Sequence, residues 1–223
     1  MATWEVIAVL AIANLMSNRV VPDAGYVPWN LAIAAACVVI ARPAATPAEL
    51  GFTRWRSGVT WGVTLFIFTS GLLLLAVTMP VFNDLYHDRR VGSAWSTMLY
   101  QTIVRIPLGT VVLEETAFRG VLPGLLAKRF GLLRGCFVAS LLFGLWHVLP
   151  ALGLNKVNPT MTELFGDGTA GIAAAVVLAV IGSFLAGLWL CWIRYRSGSV
   201  LATMIAHVAT NSVAYGIAWF VTR

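Results

Sequence analysis

Apolar runs joined by short polar loops make up nearly the whole chain, and that pattern leaves few folds open. Seven runs stand out, at roughly 3–17, 26–41, 59–79, 97–127, 134–151, 170–193 and 198–220. Seven membrane spans of about 20 residues take about 140 residues, which in a chain of 223 leaves loops and little else. Only 11% of the residues are charged and 59% are apolar, against about 25% and about 45–50% in a soluble domain. A soluble globule of that composition would expose large apolar patches. The expected fold is all-α, a polytopic membrane helix bundle of about seven spans, because in lipid a backbone polar group has no water to bind. A soluble enzyme, a disordered chain and a nucleic-acid-binding domain are excluded.

The first two runs are short for full spans. The fourth is long, and Pro107 is expected to break or kink it. Residues 43–57 are not a span; their ELGFTRWR stretch is expected at the membrane surface. There is no internal repeat or low-complexity linker. The chain therefore reads as one membrane domain, with two short helices in 1–44 and the core in 45–223. Cys37, Cys136 and Cys191 each fall inside an apolar run and read as small hydrophobes.

The loops set an orientation. Arg42, Arg54, Arg56, Lys128, Arg129, Arg134, Arg194 and Arg196 gather on one side. The other side holds Arg19, Arg89, Arg90 and Lys156 with Asp23, Asp84, Asp88, Glu163 and Asp167. The positive-inside rule puts the first set, and the amino terminus, in the cytoplasm. MATWEVIAVL lacks the basic start of a cleaved signal peptide. Trp61, Trp95 and Trp219 lie near span ends and suit an interfacial belt.

An ionisable group in a membrane helix costs at least about 2.5–3.5 kcal/mol, so those present mark function. The fourth span holds Arg105, Glu114, Glu115 and Arg119, the fifth His147, and the seventh His207 and Asn211. Counted from the basic ends, Glu114 lies 14 residues from Lys128, His147 lies 13 from Arg134, and His207 and Asn211 lie 11 and 15 from Arg196. These are depths of about 16–23 Å at 1.5 Å per residue, one layer of the membrane. Glu115 and Arg119 share a helix face and can pair, as can His207 and Asn211. Glu114 points about 100° away from Glu115, so one carboxylate can face a cavity while the other braces Arg119. A sheltered carboxylate with histidines can activate water, and a histidine with an asparagine amide can stabilise an oxyanion. The same groups could hold zinc; the residue types leave both open. Each also has a plainer role: a structural ion pair for Glu115 and Arg119, a hydrogen-bonded core histidine for His147, interhelical glue for Asn211. Arg105 either faces the cavity or braces the helix before Pro107, and His87 reads as solvated. The GxxxG pairs at Gly120–Gly124 and Gly131–Gly135 carry little weight, since neither lies inside a long unbroken span.

Three clusters then combine. Glu114-Glu115-Thr116-Ala117-Phe118-Arg119 matches EExxxR, Phe143-Gly144-Leu145-Trp146-His147 matches FxxxH, and His207-Val208-Ala209-Thr210-Asn211 matches HxxxN. In content and order they resemble the CPBP intramembrane proteases, also called the Abi or CAAX-protease-like family, over about residues 45–215. The resemblance implies an active-site cavity within the membrane and an endopeptidase acting on membrane-associated proteins or peptides. It implies Glu114 as general base, His147 positioning the water, His207 and Asn211 at the oxyanion, and Glu115, Arg119 and Phe143 shaping the site or contacting substrate. The family is labelled metalloprotease, yet a metal-free glutamate mechanism is also argued for it, so the cofactor is either none or a divalent metal such as zinc. Eukaryotic members cleave prenylated CAAX proteins; bacterial members are linked to peptide maturation, bacteriocin self-immunity and membrane-protein processing. The alanine-rich composition and short loops fit a prokaryotic plasma membrane, where a CAAX substrate is not expected. Two rival functions use the same helices: a non-catalytic immunity or scaffold protein, and a proton-coupled transporter. The latter should show repeat symmetry and paired broken helices, which this sequence lacks.

Overall fold

The computed structural model describes the backbone of residues 1–223 and every side chain except that of Val81. Among the described residues seven long helices follow one another: α1 (Ala2–Arg19), α2 (Asp23–Ala41), α3 (Trp55–Ala76), α4 (95–130), α5 (Leu132–Trp146), α6 (Thr169–Ser197) and α7 (Val200–Val221). Short helical turns fill the α3–α4 and α5–α6 connections, and the described residues form no strand, only one isolated bridge between Phe52 and Ser199. This is a helical membrane bundle. Five helices are long and apolar enough to cross a bilayer: α2, α3, α5 with its continuation to Ala151, α6 and α7. The other two expected spans, α1 and α4, fall outside that set; α4 carries Arg105, Glu114, Glu115 and Arg119 in its apolar run.

Helix α4 is the axis of the bundle. Every residue from Leu113 to Leu126 is buried, the mark of a helix surrounded on all sides. Helices α2, α5 and α7 pack directly on it, while α6 packs on α5 and α3 on α7. Pro107 does not end α4. It lies in a π-helical segment, Gln101–Val111, and a second π segment, Thr116–Val121, follows one α-helical turn, Val112–Glu115. A change of helical register thus absorbs the proline. Such segments are rare and concentrate at functional sites. Helix α2 secures the first of them: Asn30 Nδ2 donates to the Gly109 carbonyl at 2.8 Å, and the Tyr26 and Thr110 hydroxyls meet at 3.2 Å. Arg105 braces this contact, with its guanidinium 4.1 Å from the Tyr26 ring centre and 3.5 Å from Asp23.

The ELGFTRWR segment is more than a surface strip. Leu50 and Gly51 are buried, and the loop wedges between α4 and the α6–α7 turn. Thr46 and Glu49 open it as a capping box: the Thr46 N–H donates to Glu49 Oε2 at 2.7 Å, and Glu49 N–H donates back to Thr46 Oγ at 3.3 Å. That backbone donor, with Lys128 at 2.9 Å, lowers the Glu49 carboxyl to about 2. Gly120 and Gly124 receive the loop, since a Cβ at either would lie 3.1 Å from a loop carbonyl oxygen. The GxxxG pair given little weight above is therefore a seat for backbone. Gly51, at φ 77°, lies where a Cβ would strike Arg194, and Arg194 itself is buried with its guanidinium on the Glu49 carbonyl. Trp219 departs from the interfacial expectation. It is buried, stacked edge-on to Trp95 at 5.2 Å, because α7 turns that face inward.

Helix α3 faces lipid along most of its length and joins the bundle through two glycines. A Cβ on Gly58 would lie 2.6 Å from Ser199 Oγ, and one on Gly62 2.8 Å from Ile205 Cβ. Gly62→Leu is expected to force α3 from α7 at a cost of about 1–3 kcal/mol, lowering Tm in detergent by several degrees. Gly71→Leu, where an added Cβ meets nothing within 4 Å, is expected to leave Tm unchanged.

Candidate active site

The acidic pair sits on the single α-helical turn between the two π segments of α4, and a third π segment, Ala209–Val213, carries Asn211 on α7. Both carboxylates reach His207. Its Nδ1 lies 2.7 Å from Glu115 Oε1 and its Nε2 lies 3.9 Å from Glu114 Oε2. Adjacent carboxylates that diverge on a helix thus straddle one imidazole, meeting its two nitrogens. His207 Nδ1–H donates to Glu115, which leaves Nε2 to accept from Asn211 Nδ2 at 3.1 Å. The His207–Asn211 spacing therefore works as a fixed pair.

Glu115 also meets Arg119, at 3.3 Å, and both side chains are fully buried. The guanidinium lies over the Phe143 ring, 3.8 Å from its centre. Phe143 is the hub on the α5 side, with its ring centre 4.6 Å from that of His147, 6.4 Å from that of His207 and 5.3 Å from that of Phe118. His147 closes α5. Its Nδ1–H donates to the Phe143 carbonyl at 2.8 Å, so Nε2 keeps the lone pair. The structure thus gathers all seven sequence candidates, Glu114, Glu115, Arg119, Phe143, His147, His207 and Asn211, around one point. His147 joins through the Phe143 ring and not through a hydrogen bond to a carboxylate.

Glu114 is 5% exposed. Its Oε1 accepts from the Trp146 indole N–H at 3.0 Å, and its Oε2 is buried with no hydrogen-bond partner. The sequence reasoning passed over Trp146, which occupies a free position of the FxxxH pattern; its place beside His147 was the one available signal. It also passed over Asn14 of α1, whose Nδ2 donates to the Trp146 carbonyl at 3.0 Å.

Zinc needs three or four converging donors. Among the described residues no three His, Cys, Asp or Glu side chains converge in that way. Both His207 nitrogens are engaged, by Glu115 and Asn211, and His147 Nδ1 is held by a carbonyl. The residues as placed do not form a zinc site.

Comparison with known proteins gives one match. A family model described as type II CAAX prenyl endopeptidase Rce1-like matches residues 94–213, more than half of the 223-residue chain and the stretch that holds all seven candidates. No curated protein and no solved structure gives a significant match. On that match, with its three motifs meeting inside a membrane helix bundle, the chain belongs to the Rce1-like family of CAAX-type membrane proteases.

Proposed function

We propose that the protein is an intramembrane endopeptidase that hydrolyses peptide bonds of membrane-associated proteins or peptides with water activated by Glu114. The observation that carries this is the Glu114 carboxylate: one oxygen is held by Trp146, and the other is buried, unpartnered and 3.9 Å from His207 Nε2. A water beside it would donate to Oε2, with His207 as its neighbour. Its proton passes to Glu114 Oε2 as its oxygen bonds to the substrate carbonyl carbon. Glu114 then returns the proton to the amine nitrogen as the C–N bond breaks. Glu115 holds His207 in orientation from the far side, as a carboxylate orients a catalytic imidazole. Asn211 has two amide hydrogens, one on His207, and the other would donate to the carbonyl oxygen as it gathers charge. His147, held against the Phe143 ring with its Nε2 free, positions substrate or water.

The basic end of the bundle is assigned to the cytoplasm. Substrate then enters from the membrane or from that face.

Removing an oxyanion donor costs about 10²–10³ in kcat, and that is the loss expected for Asn211→Ala, with KM little changed. The direct test uses the purified full chain in detergent and an internally quenched peptide ending in a farnesylated Cys-aliphatic-aliphatic-X motif. Cleavage by the wild type that disappears in Glu114→Gln supports the proposal and extends it to CAAX substrates. Cleavage that survives Glu114→Gln contradicts it.

A further inference from the structure

Glu114 has two oxygens, and something must decide which one meets the reacting water. We propose that Trp146 is a positioning residue for Glu114: its indole N–H fixes Oε1 and thereby leaves Oε2 to take the proton. This role rests on the hydrolytic function proposed above.

The local sequence explains why Trp146 can do this. It ends α5, and Pro150 lies four residues on. Proline has no N–H, so the Trp146 carbonyl loses its partner in the continuing turn. Asn14 of α1 supplies one instead, at 3.0 Å. Phe118, on α4, meets the indole edge-on with ring centres 5.6 Å apart. The residue is thus held at its backbone by α1 and at its ring by α4, and its N–H is aimed at Glu114 over 3.0 Å. Helix α1 lies outside residues 94–213. Through Asn14, a part of the chain beyond the family match buttresses the base.

A carboxylate that accepts one fixed hydrogen bond loses rotational freedom about its last torsion. The free oxygen is then held toward His207 Nε2. Without the indole N–H, both oxygens compete for that position and the carboxylate turns. Hydrogen bonds to charged groups are strong enough that losing this one is expected to slow turnover tenfold or more.

The indole also walls an apolar cavity of about 180 Å³ lined by Ile7, Leu10, Leu142 and Leu145. Trimming the ring enlarges that cavity, so two variants are needed. Trp146→Phe keeps an aromatic ring and removes the donor. Trp146→His removes more bulk but keeps an N–H at the matching position of a five-membered ring.

The full chain is expressed in cells at matched levels, and peptide termini that depend on Glu114 are followed over time after induction. Trp146→Phe is expected to slow their appearance at least tenfold, and Trp146→His, which enlarges the cavity more and so lowers Tm at least as far, to restore the rate to within about threefold. In ¹⁵N-indole-labelled protein in micelles, the Trp146 signal, identified by its absence in Trp146→Phe, is expected to move upfield in Glu114→Ala. Wild-type rates in Trp146→Phe, equal losses in both variants, or a Trp146 signal indifferent to Glu114→Ala each overturn the positioning role alone. Absence of any Glu114-dependent terminus in wild-type cells overturns the hydrolytic function, and this role with it.

Discussion

Glu114→Gln is expected to lower the hydrolysis rate by about 10²–10⁴-fold, the range a positioned general base contributes, and to leave the fold intact. Glutamine keeps a carbonyl oxygen for the Trp146 N–H, which is the one hydrogen bond Glu114 makes. The lost oxygen, Oε2, has no partner to leave stranded. The main change is the loss of a group that can take a proton. Glu114→Asp is a sharper probe of geometry. It retains the charge but withdraws the carboxylate by one methylene from both Trp146 and His207, and a displacement of about 1 Å at a reacting group costs about 10²-fold. Steady-state kinetics on both variants, with thermal scans beside them, separate lost chemistry from lost structure. A Glu114→Gln enzyme with wild-type turnover removes Glu114 from the reaction.

Arg119→Met is expected to be the most destabilising of the variants considered. Arg119 and Glu115 are fully buried, 3.3 Å apart, and the guanidinium caps the Phe143 ring at 3.8 Å. Removing one partner of a buried pair leaves an uncompensated charge and costs about 3–5 kcal/mol. At about 2–4 °C per kcal/mol for a chain of this size, Tm should fall by about 6–20 °C. Replacing both partners together is often near neutral, so Glu115→Gln with Arg119→Met should recover much of the stability. Activity should not return with it, because His207 then loses the carboxylate that orients Nδ1. If Arg119→Met melts with the wild type, the pair has no structural role.

The sequence already carried much of this site. Charged and imidazole side chains have no reason to sit in apolar runs unless they work there, and equal spacing from the basic loops put Glu114, His147, His207 and Asn211 at one depth. The helical bundle followed from composition for the same physical reason. The rest depended on properties a linear pattern hides. Pro107 signalled a break, but a proline can also be absorbed by a π segment, and only the tertiary contacts from Asn30 and Tyr26 favour that outcome. Gly58–Gly62 and Gly120–Gly124 look alike as sequence, yet the first seats a helix and the second a loop, because what approaches a glycine comes from elsewhere in the chain. The Thr46–Glu49 capping box was legible in principle, being Thr-x-x-Glu, but it initiates a single turn instead of a long helix. Trp146 was marked only by its place beside His147, and Asn14 by nothing: apolar-looking or weakly polar positions become informative only when their hydrogen bonds are seen.

A bundle that cuts peptide bonds through Glu114 leaves new chain ends in its membrane. Mapping new peptide termini in membranes from cells that express the wild type or Glu114→Ala, at matched protein levels, reads those ends out. The expected result is a set of termini present with the wild type and missing with the variant, which also names the substrates. Identical termini in the two strains, with a deletion phenotype still rescued by Glu114→Ala, would contradict the claim and leave a non-catalytic membrane scaffold in its place.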